Sequence, residues 1–377
     1  MNVLIVGGGI AGPATAIALA KAGIHSEIYE AYPATAVADA GAFVTITANG
    51  QDALDAIGAL EPVLDVSFPS TRLRLIDPEA SMVADLPLGR DLPCSRTLTR
   101  AALSRTLCAT AIQAGVPVRY RKRLTSAVAG RDGQVTARFS DGTQATADLL
   151  VGADGIHSPV RTLIDPDAPA PRYTGLVIAC GYAPAHHDAA DTEGYTMYYG
   201  HQAFLGCTGA PDGRTWWFAR VPADSSRAAQ LTATASKDEI ARAFDGDGTP
   251  AAELVRFTNG PLSVTAACDL PDLPAWSGPA MVVIGDAAHA VSPSTTQGAS
   301  LAIEDAVILA QCLRDLPTVR GALGVFERVR RERVGRVLSM GAGAANPAPP
   351  VPGPRRGRDR SVLAHHIDWD VPVRASA

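Results

Sequence analysis

Asn2-Val3-Leu4-Ile5-Val6-Gly7-Gly8-Gly9-Ile10-Ala11-Gly12-Pro13 is the stretch that decides the fold. Asn2 to Val6 reads as a buried strand, and the glycines at 7, 9 and 12 have the G-x-G-x-x-G spacing, with Ala11 inside the turn and an alanine-rich helix after it. Each glycine uses its missing Cβ: Gly7 for a tight turn, Gly9 for close approach of a pyrophosphate, Gly12 for packing the helix on the strand. Pro13 suits a first helical turn, and that helix would aim its free N–H groups and positive dipole end at phosphates. A second strand, His25 to Tyr29, ends at Glu30. An acid there, roughly 20 positions past the glycines, is placed to accept hydrogen bonds from an adenosine ribose. Glycine-rich turns also occur where a strand merely packs on a helix, but here the strand, the helix and the terminal acid coincide. The geometry suits NAD and FAD alike.

The bulk properties narrow the class. A chain of 377 residues, 47% hydrophobic and 19% charged, can bury one large or two modest cores. A net charge of -5 gives no electrostatic reason to expect nucleic acid or an anionic membrane as partner. With no signal segment and no apolar run of membrane-spanning length, the expected address is cytoplasmic. Cys94, Cys108, Cys180, Cys207, Cys268 and Cys312 stand singly, and the histidines lack metal-ligand spacing, so no metal is expected.

Further along, Phe43 to Thr47 alternates as a strand, inside a small-residue segment (Ala31 to Gly50) read as mobile and near the cofactor. Helical spacing follows from Gln51 to Leu60, and again from about Thr99 to Ala114. Val116 to Tyr120, Leu124 to Ala129, Gln134 to Phe139 and Thr143 to Val151 read as a small antiparallel meander with turns at Asp132-Gly133 and Asp141-Gly142. Tyr173 to about Thr265 breaks the parallel pattern with strands at Leu176 to Gly181, Tyr195 to Tyr199, Ala203 to Cys207 and Thr215 to Val221, then helix from about Lys237. The strand Ala280 to Ile284 leads into Gly285-Asp286, and two helices are expected at Ala299 to Leu313 and Val319 to Met340. The Pro- and Arg-rich remainder reads as extended or disordered.

Three motifs stand in order: the turn at Gly7 to Gly12; Asp154-Gly155 with Ser158 and Arg161; and Gly285-Asp286-Ala287-Ala288-His289 leading to Pro293 and Gln297-Gly298-Ala299. In this combination the chain resembles the FAD-dependent aromatic hydroxylases, single-component flavoprotein monooxygenases of the para-hydroxybenzoate hydroxylase fold, from residue 1 to about 340. The resemblance implies an α/β fold: a Rossmann-like FAD-binding domain (1–70, 95–170 and 270–340), an inserted antiparallel β-sheet substrate domain (71–94 and 171–269), C-terminal helices and a flexible tail (341–377). It implies that Asp286 accepts from the ribityl hydroxyls, that Gly298 and Ala299 face the flavin pyrimidine edge, that Pro293 lies beside the reactive ring, and that Arg100 reaches FAD from the start of a helix. Asp154 resembles a position linked to FAD and nicotinamide binding, and a tight turn with a helix cap fits it equally well; Arg161 could equally pair with a neighbouring acid.

The resemblance further implies reduction of FAD by NADPH or NADH, a flavin C4a-hydroperoxide, and hydroxylation or epoxidation of a hydrophobic, aromatic or polycyclic small molecule by a monomer or homodimer. The absence of a second glycine fingerprint fits a transiently bound nicotinamide. Thr295, Thr296 and Ser300 depart from the family pattern and put the loop shape in question. His289 is not assigned as a base, and no catalytic residue is assigned. Tyr198, His201, Trp217 and Arg220 lie on expected strands of the second domain but read more readily as core or surface groups. The alternatives are a flavin-dependent halogenase and a flavin- or ligand-binding protein without catalysis.

Overall fold

Val3, Leu4, Ile5 and Val6 are all buried, as a strand covered on both faces must be. They belong to a computed structural model that describes residues 1–36, 42–89, 91–130, 133–185, 193–291, 295–341 and 360–374. The chain opens with β1 (Asn2–Val6), α1 (Ala11–Lys21), β2 (His25–Tyr29), β3 (Phe43–Ile46), α2 (Ala48–Ala56) and α3 (Leu60–Asp65). Four strands follow, β4 (Phe68–Ser70), β5 (Arg72–Ile76), β6 (Met82–Pro87) and β7 (Ser95–Thr99), and then α4 (Arg100–Gln113). Next come β8 (Val118–Arg119), β9 (Leu124–Ala129), β10 (Val135–Phe139), β11 (Gln144–Ala147), β12 (Leu149–Gly152) and α5 (Pro159–Ile164). The middle holds β13 (Arg172–Pro184), β14 (Gly194–Tyr199), β15 (Phe204–Gly209), β16 (Arg214–Pro222), α6 (Ser225–Thr234), α7 (Lys237–Ala241), α8 (Ala251–Arg256) and β17 (Asn259–Asp269). The last elements are β18 (Met281–Val283), α9 (Asp286–His289), α10 (Gly298–Asp315), α11 (Val319–Gly341) and α12 (Arg360–Leu363).

Five strands form a parallel sheet in the order β18-β12-β1-β2-β8. Because all run the same way, Val6, Tyr29, Gly152 and Val283 end at one edge, the edge at which ligands of open α/β sheets sit. The alanines of α1 let it pack closely: Ala14, Ala16 and Ala18 are fully buried, and the helix lies against α10. The fold class expected from the sequence, α/β with a Rossmann-like sheet and an antiparallel one, is the one observed.

Two expectations about local topology need correction. Val118–Arg119 is not part of the meander but pairs parallel with β2, leaving a three-stranded sheet, β11-β10-β9. The run Thr143 to Val151 is two strands, broken at Asp148, whose carboxylate accepts from Asn2 N (2.7 Å) and whose own N–H donates to Asn2 O (2.9 Å). That exchange turns the chain from one sheet into the other. Asp132 lies outside the described residues.

A seven-stranded sheet, β17-β13-β16-β15-β14-β5-β6, carries the middle of the chain. It is antiparallel except where β14 pairs parallel with β5. Alternation along its strands separates two faces. Val177, Ala179, Leu205, Cys207, Trp217, Ala219 and Tyr198 point to a core shared with α6, α7 and α8 residues such as Leu231, Ile240 and Leu254. Cys180, Tyr182, Trp216, Phe218, Arg220, Phe204, Met197 and Tyr195 occupy the other face by register. A fourth sheet, β3-β7-β4, meets this face.

Within the segment 341–377 that was expected to be flexible, residues 362–373 are packed against the rest of the protein. Val362 and Ile367 are buried in the main core, and the Trp369 ring lies between Lys21 Nζ (5.0 Å) and the Arg314 guanidinium (4.8 Å). Proline and arginine dominate only residues 342–359, outside the described part; the following Val362, Ile367 and Trp369 provide enough apolar surface to dock.

Candidate active site

The glycine turn is shaped by three close approaches. Gly7 adopts φ +111°, and a Cβ there would lie 2.3 Å from the Ala153 carbonyl oxygen at the end of β12. On Gly12 a Cβ would lie 1.9 Å from Gly7 O, so helix and turn could not close. Gly9 differs: nothing lies within 4 Å of its Cβ position, leaving the backbone open to a ligand. Glu30, at the end of β2, accepts from Gly8 N (2.6 Å) and Tyr32 N (2.8 Å), one bond on each oxygen. A carboxylate retains further acceptor sites in that state. Ser104, on α4 and missed in the sequence, donates within reach of both Gly8 O and Gly9 O (3.2 Å each). Its position one turn past Arg100 was the available signal.

Asp154 follows β12. Its Oδ2 accepts from Val160 N (3.2 Å) at the start of α5, while the buried Oδ1 has no partner. Burial pushes its carboxyl pKa up against the opposing pull of Ser158, Val160 N–H and Arg161. Arg161 is buried and donates to Ile156 O (2.8 Å) and Ala287 O (3.1 Å) rather than forming a hydrogen-bonded pair with an acid. The second motif is thereby tied to the third.

The third motif touches the first. Gly285 has φ +57°, and a Cβ on it would lie 3.2 Å from the Cβ atoms of both Ala11 and Ala302. Asp305, fully buried on α10, accepts from Gly285 N (2.8 Å) and His289 Nε2 (2.6 Å). His289 is therefore a packed group against Trp276 (ring centroids 5.1 Å) rather than a side chain open to solvent. Asp286 alone of this turn is exposed, with no hydrogen-bond partner among the described residues. Gly298 and Ala299 open α10, whose N-cap Gln297 makes no side-chain cap. Arg100 is the first residue of α4; its backbone N–H donates to Ala42 O (3.0 Å) and its side chain is exposed. Pro293 lies outside the described residues, as does Gly41.

β3 links this edge to the seven-stranded sheet. At one end Thr47 meets Ser300 Oγ (2.9 Å) and Gln297 Nε2 (3.1 Å). At the other Thr45 Oγ1 bonds the Tyr195 hydroxyl (2.8 Å), which also bonds Thr97 Oγ1 (2.8 Å), and the Phe43 ring lies 5.8 Å from those of Trp216 and Phe218. Of the four residues weighed on the second unit, only Arg220 is on this aromatic face, its guanidinium 4.0 Å from the Phe204 ring centroid. Trp217 donates to Thr258 Oγ1 (2.9 Å) inside the other core, with Tyr198. His201 is an exposed turn residue paired with Asp247 (2.8 Å), which raises its pKa.

An open backbone at Gly9, a spare-capacity carboxylate at Glu30, an orphaned Asp154 Oδ1, an Asp286 without a partner among the described residues and an uncapped α10 start fit an extended dinucleotide with a polar, partly anionic far end. The fold and site thus define a dinucleotide-binding protein. Residues 1–337 match the family described as FAD binding domain, and the chain belongs to that family, the FAD-dependent aromatic hydroxylases. FAD is its cofactor. The 3-amino-4-hydroxybenzoate 2-monooxygenase PtnB3 of Streptomyces platensis is 32% identical, over 97% of this chain and 94% of the relative. The aurachin C monooxygenase/isomerase of Stigmatella aurantiaca is 28% identical over 88% and 86%. The Klebsiella pneumoniae HpxO structure with FAD and uric acid superposes with a TM-score of 0.80 at 24% identity, covering 92% of this chain and 87% of that one. No helix among the described residues is long and apolar enough to cross a membrane.

Proposed function

We propose that the chain oxygenates an aromatic small molecule, taking electrons from NADH or NADPH and oxygen from dioxygen, with FAD lying along the edge where the parallel strands end. The observation that carries this reading is the contact among the three motifs: Gly7 against Ala153, Ala11 against Gly285, and Arg161 on Ala287 O. When bound, the flavin supplies electron transfer and oxygen activation. The residues named from the sequence have separate tasks in this proposal. Gly7, Gly9, Ala11 and Gly12 shape the pyrophosphate seat, Glu30 holds the ribose, Asp286 the ribityl chain, and Gly298 and Ala299 present N–H groups to negative charge on the reduced ring. Arg100, Asp154 and Pro293 are assigned to the same cofactor.

β3 supports placing the substrate on the aromatic face, since it joins the start of α10 to Tyr195 and Phe218. Trp216, Phe218 and Phe204 would exclude water and orient a ring, as reactions at an oxygen-activating site require. Arg220, stacked on Phe204, would meet an acidic substituent; the Streptomyces relative is named for an aromatic acid. The test is to purify the protein, record the flavin spectrum, and follow NADH and NADPH oxidation, hydrogen peroxide release and product mass with 4-hydroxybenzoate and with phenol. Substrate-stimulated oxidation with a product one oxygen heavier supports the proposal. A folded chain that takes up no FAD overturns it.

A further inference from the structure

Beneath the start of α10 lies a buried polar chain that the proposed chemistry does not use. Gln297 Oε1 accepts from Asn49 Nδ2 (3.1 Å), and the same nitrogen donates to Glu304 Oε1 (2.7 Å). Asn49 is held in turn by the Thr47 hydroxyl, which donates to its Oδ1 (2.7 Å). Glu304 has no exposure and is gripped by Arg330 NH1 (2.8 Å) and by Arg333 through Nε (3.0 Å) and NH2 (2.8 Å). Arg333 NH2 also donates to Val362 O (2.7 Å), so the chain reaches the C-terminal segment. That segment takes a second grip on α2, one turn past Asn49: Asp52 accepts from Ile367 N (2.8 Å) and pairs with His366 Nδ1 (2.5 Å). A third is on α10 itself, where Gln311 Nε2 donates to Asp368 O (2.8 Å) and Arg314 NH1 to Trp369 O (2.8 Å).

We propose that residues 362–373 are a strap that serves the flavin site: through Arg333, Glu304 and Asn49 they fix Gln297 at the mouth of α10 and so set how tightly FAD is held and how readily it is reduced. The inference rests on the reading that the start of α10 faces the flavin. Its physical basis is that Asn49 Nδ2 is shared between Glu304 and Gln297. Moving α2 relative to α10 must break one of these bonds inside a core where an unmade bond carries its full desolvation cost. The strap spans both helices and resists that movement. Asn49, Glu304 and Arg333 are positioning residues here and touch no reacting atom.

The experiment compares the full chain with Asn49→Ala, with the strap-loosening pair Asp52→Ala and His366→Ala, with all three changes together, and with a chain ending at Asp359. For each, the FAD dissociation constant, the flavin midpoint potential and the apoprotein melting temperature are measured. Asn49→Ala should weaken FAD binding about tenfold, the scale of one buried hydrogen bond, and the strap pair, whose His366 is exposed, by about two- to fivefold, both shifting the potential in the same direction. Their combination should do little more than Asn49→Ala alone, because both act through one linkage. Strap variants that lower the melting temperature while dissociation constant and potential stay put overturn the inference, as do fully additive effects. Should the shortened chain fail to fold, the point variants decide. Asp286→Ala separates the two levels: if it weakens FAD binding while the strap variants do not, only the strap fails; if it too has no effect, the site reading falls and takes this inference with it.

Discussion

Gly12 shows how much of the site one missing methyl carries. A Cβ 1.9 Å from the Gly7 carbonyl cannot be accommodated by a flexible neighbour, since the clash is with backbone. Gly12→Ala should therefore cost about 1–3 kcal/mol as overpacking does and open the turn, with loss of FAD from the purified protein; an unchanged spectrum and melting temperature would contradict this. Thr296 is the converse case. It holds φ +55° although β-branched, in the loop whose shape the sequence put in question. Thr296→Gly relieves a left-handed conformation that costs an L-residue about 1–2 kcal/mol, offset in part by glycine's greater unfolded entropy. The expected outcome is a small rise in melting temperature, and a fall would mean the Thr296 hydroxyl, which donates to Thr295 O (2.6 Å), matters more than the strain. That the sequence singled out Thr296 without seeing why illustrates its reach: a residue type can look misplaced before its φ is known.

At the scale of elements, α10 and α11 are joined by ion pairs rather than by apolar contact alone. Burial alone would push the Glu304 carboxyl up, yet Arg330 and Arg333 outweigh it and hold the pKa at about 2; His289, Arg330 and Gly285 N–H likewise hold Asp305 well below the usual range. Both pKa values are lower folded than unfolded, so their contribution is present above the unfolded values and is lost as pH falls. Urea unfolding should show stability dropping between pH 4.5 and about 2, the ordinary and folded values for Glu304. Arg330→Ala leaves two carboxylates with less compensation, costing about 3–5 kcal/mol near neutral pH and flattening the acid limb, because the folded pKa values then lie closer to the unfolded ones. A variant as stable as the parent at pH 7 would show the pairs to be energetically idle. None of this network was legible in the sequence: Asn49, Glu304 and Arg330 are brought together by packing of α2, α10 and α11, and each on its helix reads as a solvated charge or polar group. Strands and helices with strong local period were legible, including β13 to β16, α4, α10 and α11. β17 was missed although Leu262 to Ala266 alternates, because Gly260 and Pro261 stand inside the strand near its start; β8 was misassigned because two residues cannot declare their partner. Trp216 and Trp217 could be told apart only once the face of β16 was fixed.

For the whole molecule, the decisive contact is the seam between the β3-β7-β4 sheet and the aromatic face of the large sheet. The two main cores, one around the parallel strands and one under α6 to α8, are separate apolar clusters. What passes between them at this seam is Tyr195, buried with its hydroxyl shared by Thr45 and Thr97, and the Phe43 ring among those of Tyr195, Trp216 and Phe218. Phe43→Ala removes the aromatic part of that bridge without touching either core. Full truncation of a buried phenylalanine costs about 3–5 kcal/mol, and Phe43 is half-buried, so the cost should fall below that range, at roughly 2 kcal/mol. More telling is cooperativity: a seam that couples two cores makes them melt together, and weakening it should split or broaden a single calorimetric transition. The aromatic face would also lose the wall that fixes Phe218, so with substrate and FAD placed as proposed, KM for a ring substrate should rise while FAD binding holds. A sharp, unshifted transition in Phe43→Ala would show that the cores are coupled elsewhere, and loss of FAD together with substrate affinity would count against the proposed placing of the two sites at opposite ends of β3.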